Sequence, residues 1–207
     1  MDYVTTTRFG RTTPAIFVVA MALSLPATGQ ERFSSPPAGI AFQPPSGWRS
    51  ATLAEIQTNR ERVRLSDPAW QAALARRSAL PIAAFMKYEG SHVGLNPTVQ
   101  VTLRQALAGT PTQILSQAIG QMRNAFPDLQ IVSPIQPTQV SGLAAAHVRV
   151  SYALQTASGS RFDVVSRLWL VPRGSLMFLI GMSGSGSGLD ECDDEFAAVL
   201  DSIEIQR

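Results

Sequence analysis

Three stretches in the second half of the chain are rich in β-branched and apolar residues. They run from Ala144 to Thr156, from Arg161 to Val171 and from Ser175 to Met182, separated by Ser158-Gly159-Ser160 and Pro172-Arg173-Gly174. Short strand-like runs between tight turn sequences predict an antiparallel meander. A three-residue first loop pairs Val148 with Leu170, Val150 with Leu168 and Leu154 with Val164, which gathers the apolar side chains on one face. The opposite face then sets Arg149 beside Trp169, Ser151 beside Arg167 and Gln155 beside Asp163. Two further strands are expected upstream, Ile82 to Tyr88 and Thr98 to Leu103, with Gly90, Gly94, Asn96 and Pro97 in the loop between them.

Elsewhere the apolar spacing is helical. Thr52 and Glu55 have the spacing of a capping box, with Leu53, Ile56, Arg60 and Val63 along one face of the helix that follows. Asp67-Pro68 opens a second helix, with Trp70, Ala73 and Leu74 inward, that ends before Pro81. Thr110-Pro111-Thr112-Gln113 starts a third, carrying Ile114, Leu115, Ala118, Ile119, Met122 and Phe126, and Phe126-Pro127 closes it. The last helix runs from about Leu189 to Ser202 with Leu189, Cys192, Phe196, Val199, Leu200 and Ile203 as its stripe. Asp190, Glu191, Asp193 and Asp194 crowd its first turn, where the helix dipole favours acids. Helices and tight-turned strands in this order predict an α+β domain built on a central antiparallel sheet. The domain spans residues 46–207, and residues 30–45, with Pro36, Pro37, Pro44 and Pro45, read as an extended lead-in.

The N-terminal pattern differs from all of this. Arg8 and Arg11 precede an uncharged run from Ala15 to Leu25; Pro26 breaks the run, and Ala27-Thr28-Gly29 places small residues ahead of Gln30. That order is a secretory signal peptide over residues 1–29. The apolar run rises only about 16 Å as a helix, too short for a bilayer core that needs about 20 residues. With no cysteine at the cut and no twin arginine, the expected product is a released, exported domain, periplasmic or secreted, with no membrane span left. Cleavage removes Arg8, Arg11 and Asp2 and leaves a chain close to neutral, which gives no electrostatic reason to expect nucleic acid. The single cysteine, Cys192, has no intramolecular partner and is expected to be buried on its helix stripe.

Phe42-Gln43-Pro44-Pro45-Ser46-Gly47-Trp48 is similar to the F-x-x-P-x-G-W opening of the PsbP-like superfamily. That group includes the extrinsic photosystem subunit and bacterial exported proteins such as DcrB. A helix and a strand then lead into Val140-Ser141-Gly142-Leu143-Ala144-Ala145, which resembles the family's start of the meander. Phe196-Ala197-Ala198-Val199-Leu200-Asp201-Ser202-Ile203 resembles its closing helix. The resemblance spans about residues 40–205 and implies an α/β/α sandwich whose members mostly bind, assemble or scaffold and share no catalytic residue.

Candidate chemistry is sparse. Gly181 to Gly188 (GMSGSGSG) lacks the lysine of a phosphate loop and the spacing of a hydrolase elbow, so it reads as a flexible loop. Arg60, Arg62, Arg64, Arg76 and Arg77 make the two early helices the basic part of the molecule, a solvated face. Two histidines, His92 and His147, do not make a zinc site without spaced carboxylates, and no cofactor is expected. His92 stands near Glu89. His147, Arg149, Ser151, Arg167 and Trp169 share the polar face of the meander and form the candidate ligand-binding group, with arginine stacked on tryptophan to hold an anion. The leading expectation is an exported, non-catalytic binding or scaffolding protein whose partner is a protein or envelope component. The alternatives are a small exported hydrolase using a histidine and a loop serine, and a small-ligand carrier with its site between sheet and helices.

Overall fold

A computed structural model describes residues 31–65, 67–74, 80–89 and 95–206. The expected signal peptide, Arg76, Arg77 and His92 lie outside the described residues. In chain order the elements begin with β1 (Phe33–Ser35), β2 (Ile40–Phe42), β3 (Arg49–Ser50), α1 (Leu53–Glu61), β4 (Val63–Arg64) and α2 (Pro68–Leu74). Then come β5 (Ala83–Met86), β6 (Thr98–Gln105), α3 (Pro111–Ala125), β7 (Gln130–Val140), β8 (Leu143–Thr156) and β9 (Arg161–Arg173). The chain ends with β10 (Leu176–Ser185), α4 (Gly186–Asp190), α5 (Asp193–Asp201) and β11 (Glu204–Ile205).

The main sheet has the order β3-β5-β6-β10-β9-β8-β4, with β7 also paired to β8. Its neighbouring strands run antiparallel. The architecture is the α+β sandwich expected. One face of the sheet carries Ala146, Val148, Val150 and Leu170, packed under Ile114, Leu115 and Ile119 of α3. The other carries Val99, Val101, Phe178, Ile180 and Met182, packed against Leu189, Cys192, Phe196 and Val199 from α4, α5 and the turn between them. Side chains alternate between the faces of a strand, so each strand serves both cores.

The meander keeps its faces but not its partners. Val148 pairs with Leu168, Val150 with Ser166 and Leu154 with Phe162, a slip of two residues from the expected register. The cause is the turn. Thr156 donates its backbone N–H to Ser160, accepts the Gly159 N–H, and its Oγ1 takes the Ser160 N–H at 3.0 Å, so the loop closes on the Gln155–Arg161 pair. A slip of two preserves side-chain parity, which is why the apolar face survives.

Glycine misleads at residues 181–188. They are not a loop: Gly181 to Ser185 finish β10, paired to Leu168 through Val164, and Gly186 opens α4. A Cβ at Gly184 would lie 3.5 Å from the Leu189 backbone nitrogen, and one at Gly181 3.5 Å from Leu168 Cδ2. Both are ordinary van der Waals distances, so the packing of α4 back onto the strand that precedes it does not itself demand glycine at either position.

At the other end, the extended stretch ahead of the domain joins its core. Ala38 and Gly39 N–H groups bond back to Ser35 and Pro36 to turn the β1–β2 hairpin. Gly39 adopts φ +64°, a left-handed conformation that disfavours a Cβ. The hairpin buries Ile40 and Phe42 and is extended by β11, whose Ile205 pairs with Ile40. The capping box at Thr52 is present, with Glu55 N–H to Thr52 Oγ1 at 3.2 Å and Thr52 N–H to Glu55 at 2.9 Å. The expected inner face of α1 is not buried: Leu53 is 62% exposed and Val63 belongs to β4. Two apolar side chains flanked by Arg60 do not make a stripe wide enough to anchor nine residues. The side chains of Trp70, Ala73 and Leu74 lie outside the described residues.

Candidate functional site

Four of the five residues singled out from sequence meet on one face of β8 and β9. His147 is directly opposite Trp169, and Arg149 is opposite Arg167. The imidazole and indole rings stack with centroids 4.4 Å apart, inclined by 31°. It is thus histidine, not arginine, that lies against the tryptophan. Ser151 follows on the same face, opposite Val165 of β9 and Gln130 of β7.

Two arginines side by side across a ladder repel. Each here has its own carboxylate: Arg149 reaches Asp190 at 2.6 Å and Arg167 reaches Asp193 at 2.5 Å. Asp190 closes α4 and Asp193 begins α5, so the two pairs tie the helical segment to the strands beneath it. Asp193 also sits in a helix first turn, where the dipole favours an anion. The acids were legible as helix-start residues and the arginines as sheet residues; their pairing is tertiary and left no local signal.

Burial holds His147 below the usual histidine range, and the charge of Arg167 adds to the effect. Its Nε2 and the Nε of Arg149 are buried with no hydrogen-bond partner among the described residues. The imidazole is therefore neutral at pH 7. Below its ordinary value of 6.5 the unfolded chain binds a proton that the folded chain resists, so stability falls as pH drops through 6.5 and levels off below the folded pKa. A His147→Gln variant should lose this part of the pH dependence, read as a smaller change in urea midpoint between neutral pH and about pH 5. An unchanged dependence would rule out His147 as its source.

A second polar cluster was missed in the sequence. Lys87 Nζ lies 2.9 Å from Glu195 and 3.3 Å from Cys192 Sγ, and Trp48 Nε1 donates to the other Glu195 oxygen at 3.1 Å. Burial pushes the Cys192 thiol up, and the thiol donates to the Gly188 carbonyl at 3.1 Å. A buried thiol held protonated is a poor nucleophile. The available signal was the spacing of Cys192 and Glu195, one helical turn apart beside the apolar stripe.

A third runs across the α3 side of the sheet. Tyr152 Oη meets Ser166 Oγ at 3.2 Å, and Ser166 meets Ser183 Oγ at 2.7 Å. Ser183 lies in the Gly181 to Gly188 run, which was expected to be a loop. Its hydroxyl partner is another serine, and His147, on the opposite face of β8, makes no hydrogen bond to a serine or carboxylate among the described residues. The described residues contain no group of three or more His, Cys, Asp or Glu arranged to hold a metal ion. None of the described helices is long and apolar enough to cross a membrane.

These layers and this strand order define a fold that is shared with known structures. The chain is similar to the cyanobacterial PsbP protein (CyanoP) of Synechocystis sp. PCC 6803, with a TM-score of 0.51 and 12% identity over 85% of this chain and 92% of that one. It is also similar to LpqN of Mycobacterium tuberculosis, described as involved in cell envelope biogenesis, with a TM-score of 0.52 and 15% identity over 81% and 83%. No protein-family model matches the chain, and no curated protein matches it in sequence. The fold is PsbP-like, as the motifs at Phe42, Val140 and Phe196 implied. At these identities the likeness carries the fold and no activity.

Proposed function

We propose that the protein is an exported, non-catalytic binding or scaffolding protein of the cell envelope, released by cleavage near Gly29-Gln30 and acting on a protein or envelope component. The observation that carries this reading is how the reactive side chains are used. Arg149, Arg167, Lys87, Ser166 and Ser183 are committed to pairs that hold the fold together, and His147 is stacked on Trp169. The basic–apolar–small order of residues 1–29 supports export, and the LpqN description supports an envelope setting.

The test is crosslinking in intact cells followed by capture from the envelope, with mass spectrometry of the captured protein. The expected result is a chain beginning at Gln30 and one reproducible crosslinked partner. A chain that retains Met1 to Gly29 in the cytoplasmic fraction would end the export reading. A hydrolytic activity abolished by His147→Ala would replace the binding role with the enzymatic alternative.

A further inference from the structure

A cleft of about 370 Å³ lies where β4 and the C-terminal end of α3 meet the sheet beside the β8–β9 turn. Its lining includes Arg64, Leu65, Phe126, Pro127, Asp128 and Arg161. We propose that this cleft binds a small organic monoanion with an apolar body, its charge on Arg64 and its body against Leu65, Phe126 and Pro127. The inference goes beyond the envelope reading and places a ligand at residues other than the His147 group.

The charge balance of the lining selects the ligand. Asp128 is held rigidly: both its oxygens face the Ala153 N–H, at 3.3 and 3.2 Å, and Oδ2 pairs with Arg161 at 2.9 Å. That pair cancels, which leaves the single positive charge of Arg64. Arg64 has no side-chain partner among the described residues, unlike Arg32, Arg49, Arg149, Arg161 and Arg167, each of which has a carboxylate. A dianion would meet Asp128 with one charge uncompensated, so a carboxylate or sulfonate fits better than a phosphate monoester.

The backbone that presents Arg64 is secured from two sides. On one, Val63 and Arg64 pair with Thr156 and Gln155, and Ala157 N–H bonds the Arg62 carbonyl at 2.7 Å. On the other, the Gln71 amide accepts the Leu65 N–H at 2.8 Å and donates to the Val63 carbonyl at 3.2 Å. A strand of two residues is thereby fixed on both flanks of the arginine, although α1 beside it buries nothing. The apolar wall is equally set, since Phe126 stacks on Tyr152 with centroids 4.4 Å apart. With the backbone and the aromatic wall already fixed, only the Arg64 side chain has to be ordered on binding.

Titration of the ¹⁵N-labelled purified protein tests this with three probes: 1-naphthoate, the neutral 1-naphthylmethanol, and inorganic phosphate. Naphthoate should shift the amides of Arg64, Phe126, Ala153 and Gln155, saturating with a Kd below about 1 mM. The alcohol and phosphate should bind these residues far more weakly. The R64Q variant should raise the naphthoate Kd about tenfold, equivalent to about 1.4 kcal/mol, while R64K keeps most of the affinity. Equal binding of the alcohol would overturn the role of charge, and equal binding of phosphate would overturn the role of the apolar wall. Unsaturable shifts, or an R64Q protein that stays folded and binds as before, would remove the site altogether. Because no partner protein is present, none of these outcomes bears on the envelope reading.

Discussion

Replacing Phe42 with alanine is expected to lower folding stability by about 3–5 kcal/mol, the range for a large aromatic removed from a packed interior. Phe42 is fully buried although it lies in a proline-rich stretch of little periodicity. Its ring sits 5.0 Å from that of Phe33 and 5.8 Å from that of Phe85, edge-on to the latter, and thus joins β1 and β2 to β5. The hole left behind has rigid walls, because Val99, Phe178 and Phe196 belong to the same packed cluster. Leu53→Ala is the matched control; its side chain is mostly in water, and about 0.5 kcal/mol or less should be lost. Urea denaturation of both variants decides the matter. A Phe42→Ala loss of under about 1 kcal/mol would show that residues 33–42 lie on the domain without supporting it.

The second large effect is expected at Glu195. Alanine there leaves the Lys87 ammonium and the Trp48 indole N–H without their acceptor, at a cost of about 1–3 kcal/mol for groups only partly exposed. The pH dependence identifies the cause. Burial alone pushes the Glu195 carboxyl up, but the hydrogen bonds led by those from Lys87 and Trp48 outweigh it and hold the group below 4.5. Its contribution is therefore present above 4.5 and disappears as pH falls through the lower folded value. Lys87 behaves in the opposite sense. The hydrogen bond to Glu195 raises its pKa above 10.5, so its contribution is complete below 10.5 and is lost as pH rises through the folded value. Glu195→Gln keeps the shape and removes the acid titration. Its urea midpoint should fall less between neutral pH and about pH 3 than that of the unaltered protein. Parallel curves would mean that acid sensitivity comes from other carboxylates.

How much was readable from sequence depended on whether a feature is set locally. Val148 and Val150 alternate with Arg149, so face assignment in the meander needed only the strand period; the partner across the ladder depended on the turn at Thr156 to Ser160, and there the register moved by two. Capping boxes at Thr52 and Thr110 are local chemistry and formed as expected. The early part of β7 was hidden by Pro134 and Pro137, which an edge strand tolerates, and by ladder irregularities around Ser133. Gly181 to Gly188 resembled a loop because glycine lowers strand propensity, yet Gly181 to Ser185 are held in the ladder by their pairing with Leu168 through Val164. Among the candidate side chains, His147, Arg149, Arg167 and Trp169 do meet, but the carboxylates that neutralise the arginines come from α4 and α5. Lys87 and Glu195 are 108 positions apart, and no sequence pattern links them.

The strand β11 has a bearing on when the molecule finishes folding. It lies against β2, and nearby the Gln43 N–H bonds to Ser202, 159 positions away. During synthesis the early hairpin must wait for residues 202–205 before its edge is covered and Ile40 is enclosed. Contacts that bridge so much chain form late. A protein threaded across a membrane in extended form, as under the export proposal, gains from that delay, because its interior does not close around Ile40 until residues 202–205 have emerged.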